Sequence, residues 1–172
     1  IIQLMKKKLN IDTISAFFID FDGVLTDNKL LLSENGKESV VCSRSDGLAF
    51  KALKKLKKNI YIISSESNMV VKARAKKLKT TVFSNVQNKL SLVKRISIKN
   101  NYHSKNLVFI GNDINDFHAM NYCKYRACPC DSNLKIMEIA NIKLKSRGGE
   151  GVVRELIENY FNIDILDLLY SN

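Results

Sequence analysis

Proline is almost missing: the 172 residues contain only Pro129, and no segment rich in proline, glycine or serine interrupts them. Without such a linker there is no internal boundary, so residues 1–172 read as a single domain. A domain of this length buries roughly two-thirds of the surface its unfolded chain exposes. No run approaches the roughly 18 apolar residues that a membrane-crossing helix needs. A basic start, apolar segment and small-residue cleavage site are also lacking, which excludes a secretory signal. The expectation is a cytoplasmic protein with no membrane partner. Ile1 stands where an initiating methionine would, so the sequence reads as a chain that has lost a leader or as a segment of a longer protein.

The cysteines Cys42, Cys123, Cys128 and Cys130 lack zinc spacing, because Cys128-Pro129-Cys130 has neither a second pair nor a histidine nearby. A chain with its own core does not need a disulfide framework, and these read as reduced structural thiols. Negative charge is also scarce, with 17 Asp and Glu against 28 Lys and Arg and a net charge of +11. Such an excess suits nucleic acid or a small anionic substrate. However, Lys54, Lys55, Lys57 and Lys58, like Lys76, Lys77 and Lys79, alternate with apolar residues as the outer faces of helices do. No aromatic residues are interleaved with them to stack on bases. Nucleic acid is therefore not an expected partner.

Short apolar runs carry the strand signal. Ile14 to Ile19, Ile60 to Ile63 and Leu107 to Ile110 are nearly continuous, as strands buried on both faces are. Thr81 to Phe83 makes a shorter strand. Lys29 to Leu32 and Glu38 to Cys42 flank the turn signal Ser33-Glu34-Asn35-Gly36 and predict a β-hairpin. Helices are expected from Asp46, as cap, to Lys58, then over about 68–78, 89–98 and 114–122, with a last one near 152–161. Strands alternating with helices specify an α/β fold: a Rossmann-like, three-layer parallel sheet with a hairpin inserted after the first strand.

In such sheets ligands bind outside the carboxyl ends of the strands. The polar residues there are Asp20-Phe21-Asp22-Gly23 after the first strand and Ser64-Ser65-Glu66 after the second. Gly111-Asn112-Asp113-Ile114-Asn115-Asp116 follows the third, and Lys89 opens a helix at the same rim. Several carboxylates in one mouth raise each other's pKa unless a cation joins them. Oxygen donors without His or Cys suit Mg²⁺, which pairs with substrate phosphate. A carboxylate beside that ion can attack phosphorus, and a second one two residues on can protonate the leaving oxygen. Ser64 and Lys89 would hold the phosphoryl oxygens.

The segment Asp20-Phe21-Asp22-Gly23-Val24-Leu25-Thr26-Asp27 resembles the first motif of the haloacid dehalogenase superfamily. Ser64, Lys89 and Gly111–Asp116 resemble its second, third and fourth, so the likeness runs from about Ile14 to Phe161. It implies a phosphatase with Asp20 as nucleophile, Asp22 as general acid and base, and Ser64 and Lys89 completing the catalytic set. It also implies Mg²⁺ held by Asp20, the Asp22 carbonyl and the fourth motif. There the family has Asp directly after Gly where this chain has Asn112, followed by Asp113, so either residue is a candidate ligand.

Most relatives insert a cap domain, and the resemblance leaves no room for one here. The hairpin at 28–42, Ser43-Arg44-Ser45-Asp46-Gly47 and the segment Arg147 to Glu155 are similar to a capless group. That group contains the 3-deoxy-octulosonate 8-phosphate and N-acylneuraminate or deaminoneuraminate 9-phosphate phosphatases, and the C-terminal domain of acylneuraminate cytidylyltransferases. Its likeness implies a homotetramer joined by the hairpin, with each subunit covering its neighbour's site. Glu66, after Ser64-Ser65, resembles the nine-carbon enzymes. Ser65 and Glu66 are then substrate-binding residues, and Arg74 and Lys77 match positions that reach an adjoining subunit's substrate carboxylate. Glu66 could instead cap the next helix, and Arg74 and Lys77 could form a solvated face.

Overall fold

The computed structural model describes residues 9–171. Its central sheet is built from β1 (Ala16–Asp20), β4 (Asn59–Ile63), β5 (Thr81–Phe83), β6 (Leu107–Ile110), β7 (Tyr125–Cys128) and β8 (Ile142–Lys143) in the order β5-β4-β1-β6-β7-β8. Every neighbouring pair in it is parallel. All five residues of β1 are buried, as a central strand covered on both faces requires.

Side chains alternate between the two faces. Phe17, Ile19, Ile60, Ile62, Val108 and Ile110 enter one core. It is closed by α1 (Arg44–Lys55), α2 (Met69–Leu78), α6 (Val152–Asn159) and α7 (Ile165–Tyr170). Phe18, Ile63, Leu107 and Phe109 enter the other, closed by α3 (Lys89–Lys99), α4 (Phe117–Tyr122) and α5 (Leu134–Ile139). The expected three-layer α/β architecture is thus present, and among the described residues no cap domain is inserted. No helix among these residues is long and apolar enough to cross a membrane. The cysteines are free thiols.

Several boundaries differ from expectation. The hairpin strands β2 (Leu31–Leu32) and β3 (Glu38–Ser39) are two residues each. Ser43, not Asp46, caps α1, its side chain accepting from Ser45 N–H. Asp46 lies inside the first turn of α1, fully buried, and accepts from Val153 N–H at 2.9 Å and Arg154 N–H at 3.1 Å. It therefore caps α6, a helix distant in sequence. The segment expected to be one helix over 114–122 is a 3₁₀ turn, Ile114–Asp116, running into α4. The last helix is α7 rather than α6.

The sheet order reverses between β1 and β6. β4 and β5 lie to one side of β1, and β6, β7 and β8 to the other. The crevice beyond the carboxyl ends of these two strands is where an open α/β sheet holds ligand.

Candidate active site

Asp20 ends β1 with its Cα paired to Ile63, which places Ser64 beside it, while Ile19 pairs with Ile110 and sets Gly111 on the other flank. Three loops distant in sequence thus converge at one edge. Asp20, Asp22, Ser65, Glu66, Asn112 and Asp113 line one cavity of about 280 Å³. Below its floor lies Lys89, 2% exposed. Its Nζ is 2.7 Å from Asp20 Oδ1 and 2.6 Å from Asp116 Oδ1. Asp116 is itself fully buried and accepts from Asn112 N–H at 3.0 Å. One ammonium between two carboxylates leaves one negative charge uncompensated, in a place where lone charge is costly.

The electrostatics follow from that packing. Burial, and after it Asp116, push the Asp20 carboxyl well above the usual carboxylate range, against the pull of Lys89. Burial also lowers Lys89, but Asp20 and Asp116 outweigh it and hold its proton more tightly than usual. Oδ1 of Asp20 accepts from Lys89 and from Phe21 N–H at 2.8 Å. Its second oxygen, Oδ2, faces Asn112. Asp22 is raised by burial and then by Glu66, so it keeps a proton to higher pH than an ordinary aspartate. Ser64 is 1% exposed, and its Oγ accepts from Glu66 N–H at 3.0 Å, leaving its own O–H free to donate.

Asn112 and Asp113 have separate fates. The Asp113 carboxylate turns back to accept from Ile114 N–H at 2.7 Å and caps the 3₁₀ turn. The tip of Asn112 instead reaches the Asp22 carbonyl oxygen at 2.8 Å and Asp20 Oδ2 at 3.2 Å. With its nitrogen inward it donates to both. With its oxygen inward it completes a cluster of three oxygens, which suits a cation. Neighbouring ligands of an octahedral ion with bonds of 2.0–2.1 Å lie about 2.9 Å apart, so these spacings fit Mg²⁺. Among the described residues no three His, Cys, Asp or Glu side chains form a metal cluster. The donors here are one carboxylate, one backbone carbonyl and one amide. Gly23, at φ +82°, makes room for them, since a Cβ there would overlap the Asn112 amide.

Arg74 and Lys77 lie outside this cavity. With Arg44, Lys51, Lys54 and Lys79 they line a separate basic one of about 560 Å³ on α1 and α2. Arg74 Nη2 donates to the Ser43 carbonyl at 2.6 Å. Glu66 does not cap α2, because Asn68 does, its side chain accepting from Val71 N–H. Arg154 pairs with Glu158 at 3.0 Å. Sequence reasoning gave no separate part to Asp116 or Asn68. For Asp116 a signal existed, the acidic residue ending the Gly111 segment. For Asn68 none did.

No family model matches the chain. Among curated proteins it is similar to the N-acylneuraminate cytidylyltransferase A of Danio rerio, 24% identical over 152 residues, covering 86% of this chain and 35% of that protein. The chain therefore spans well under half of the cytidylyltransferases it matches. It is also similar to the 3-deoxy-D-manno-octulosonate 8-phosphate phosphatase of Escherichia coli K12, 24% identical over 148 residues, covering 86% of this chain and 79% of that one. Among solved structures, a Streptomyces avermitilis protein described as a HAD family hydrolase superposes with a TM-score of 0.86 at 29% identity, over 90% of this chain and 88% of that one. The 3-deoxy-D-manno-octulosonate 8-phosphate phosphatase of Moraxella catarrhalis, solved with magnesium, phosphate and KDO, gives 0.83 at 25% identity, over 92% and 88%.

Proposed function

We propose that the chain is a member of the haloacid dehalogenase superfamily, to whose solved structures it is similar, and that it is a Mg²⁺-dependent phosphomonoester hydrolase. Its proposed substrate is a nine-carbon 2-keto-3-deoxy sugar acid 9-phosphate, N-acylneuraminate or deaminoneuraminate 9-phosphate. The observation that carries the chemistry is the Asp20 carboxylate, with one oxygen fixed by Lys89 and the other turned toward Asn112 in a cavity it shares with Asp22.

In the proposed reaction a carboxylate oxygen of Asp20 forms a bond to phosphorus as the ester P–O bond breaks. Asp22, whose carboxyl burial and Glu66 raise above the usual range, gives its proton to the departing alkoxide. The aspartyl-phosphate is then hydrolysed. Asp22 takes a proton from water, the water oxygen bonds to phosphorus, and the bond to Asp20 breaks to release inorganic phosphate. Ser64 O–H and Lys89 offset the negative charge that builds on the phosphoryl oxygens. Asp20, the Asp22 carbonyl and Asn112 would hold Mg²⁺, which supplies charge neutralisation for the incoming phosphate. Asp113 serves the loop rather than the ion.

The substrate class rests on Glu66 in the lining. Its carboxylate accepts hydrogen bonds from hydroxyls or an amide N–H and repels a carboxylate, which suits a longer polyol chain. Ser65 lines the cavity beside it. A homotetramer in which the hairpin covers a neighbouring site fits the exposed Leu30, Leu31, Leu32 and Val41. Arg74 and Lys77 would then serve an adjoining subunit, which accounts for their place outside this chain's own cavity. The similarity to the eight-carbon phosphatases favours 3-deoxy-octulosonate 8-phosphate as a second reading. The similarity to part of a cytidylyltransferase favours a third, a weakly active tetramerising domain. Phosphate release measured on nine- and eight-carbon esters at fixed Mg²⁺ separates them. The nine-carbon ester should give the higher kcat/KM, and preference for the eight-carbon ester sinks the first reading.

A further inference from the structure

Glu155, in the first turn of α6, does not line the cavity. Its carboxylate is spent on one short stretch of chain. Oε2 accepts from Ser146 N–H and from the Ser146 hydroxyl, both at 2.7 Å. The two oxygens share Lys145 N–H, at 2.9 and 3.0 Å. Hydrogen bonds to an ionised acceptor are among the stronger ones, and they fix their donors in place.

The stretch so fixed leads into Gly148 and Gly149, which rest on the loop after β1. Gly148 N–H donates to Asp131 Oδ1 at 2.9 Å, and Gly149 N–H to the Val24 carbonyl at 3.0 Å. Neither glycine has room for a side chain against residues 23–27. On its other flank Gly23 meets the Asn112 amide, and Thr26, fully buried, accepts from Gly23 N–H at 3.2 Å. The main chain next to Asp22 is therefore gripped between Asn112 and the two glycines. No hydrogen bond or ion pair among the described residues holds the Asp22 side chain itself. Its direction is set by its backbone, and that backbone is only as fixed as the loop from Lys145 to Gly149.

We propose that Glu155 is a positioning residue for the proton transfer: by fixing this loop it holds the Asp22 backbone and so aims the Asp22 carboxyl at the leaving oxygen. This rests on the reading of Asp22 as general acid and adds the group that keeps it in place.

The test compares kcat/KM on two esters, since this ratio reports the barrier up to departure of the leaving group. A sugar alkoxide needs a proton to leave, whereas p-nitrophenolate leaves without one. Glu155→Ala should lower kcat/KM for the sugar acid phosphate by roughly 10²-fold and that for p-nitrophenyl phosphate less than about threefold. Glu155→Gln keeps one oxygen for the Ser146 donors and should show the same contrast at smaller size, which decides the matter if the alanine variant does not fold. An equal or larger loss with p-nitrophenyl phosphate, or no loss with either ester, overturns the proposal while leaving the phosphatase standing. If wild type hydrolyses no phosphate ester, the functional reading fails instead, and amide hydrogen exchange decides on Glu155. Exchange of the Gly23 and Leu25 amides about tenfold faster in Glu155→Gln, with Val93 in α3 unchanged, supports its hold on the loop, and exchange equal to wild type overturns it.

Discussion

Asp20, at the tip of β1, is 4% exposed, whereas Leu31, on the hairpin above it, is 73% exposed. The floor is locked by burial and by paired charges, since Lys89 cannot leave Asp20 without stranding Asp116. The hairpin has two-residue strands and apolar side chains facing water, and it is tied down at its base, at Glu38–Asn68 and by Val40 against the core. A rigid floor fixes which reaction occurs, because attack at phosphorus tolerates little displacement. A loosely held roof leaves substrate choice and assembly open to change with little effect on the fold. The two regions should therefore respond to mutation in different observables.

The largest effect should come from the floor. Asp20→Asn removes the proposed nucleophile while keeping shape, and phosphate release should fall by roughly 10⁴-fold or more. Unfolding temperature should change little by comparison, and a variant that stays active would remove Asp20 from the reaction. Next, Asn112→Asp adds a charge to the proposed ligand set and should lower the Mg²⁺ concentration for half-maximal activity by about tenfold. No shift in that concentration would place the ion elsewhere. Smaller still, Leu31→Lys should weaken the proposed subunit association, seen by sedimentation, and lower kcat/KM for a sugar phosphate several-fold. Rates with p-nitrophenyl phosphate should hold, and an unaltered assembly would detach the hairpin from oligomerisation.

The smallest effect belongs to the buried carboxylate in the first turn of α1. Burial raises Asp46 to about 6 from 3.8, and its second oxygen has no partner. The folded protein binds this proton more tightly than the unfolded chain, so the stability it contributes is complete below about pH 4. That stability is lost as pH rises through about 6, with a ceiling of about 3 kcal/mol. Asp46→Asn cannot ionise and should flatten the dependence of unfolding temperature on pH between 4 and 7. A slope equal to wild type would assign it to other groups.

The floor was legible because its chemistry sits in short runs directly after strands, and strands announce themselves by apolar residues. Asp20, Asp22, Ser64 and Lys89 follow from that rule together with the family motifs. The choice between Asn112 and Asp113 did not, since it depends on which side chain the 3₁₀ turn takes as its cap. Asp46 was expected to cap its own helix and instead caps α6, an acceptor reached only through tertiary packing. Asn68 and Glu38 were silent for the same reason, because nothing local marks a side chain that spans from hairpin to helix. The helix α7 was missed beyond a segment already taken as the end.

The loop at Gly148 and Gly149 presses against the backbone of residues 23–27, so closely that a Cβ on Gly148 would strike the Gly23 carbonyl and one on Gly149 the Asp27 nitrogen. Gly149 N–H also donates to the Val24 carbonyl at 3.0 Å. During synthesis the loop carrying Asp20 leaves the ribosome before the clamp at Gly148 and Gly149 does. A nascent chain stalled before this clamp would carry the groups proposed to attack phosphorus and still lack the wall that holds them in position, so activity should switch on only once the clamp has emerged rather than grow with length.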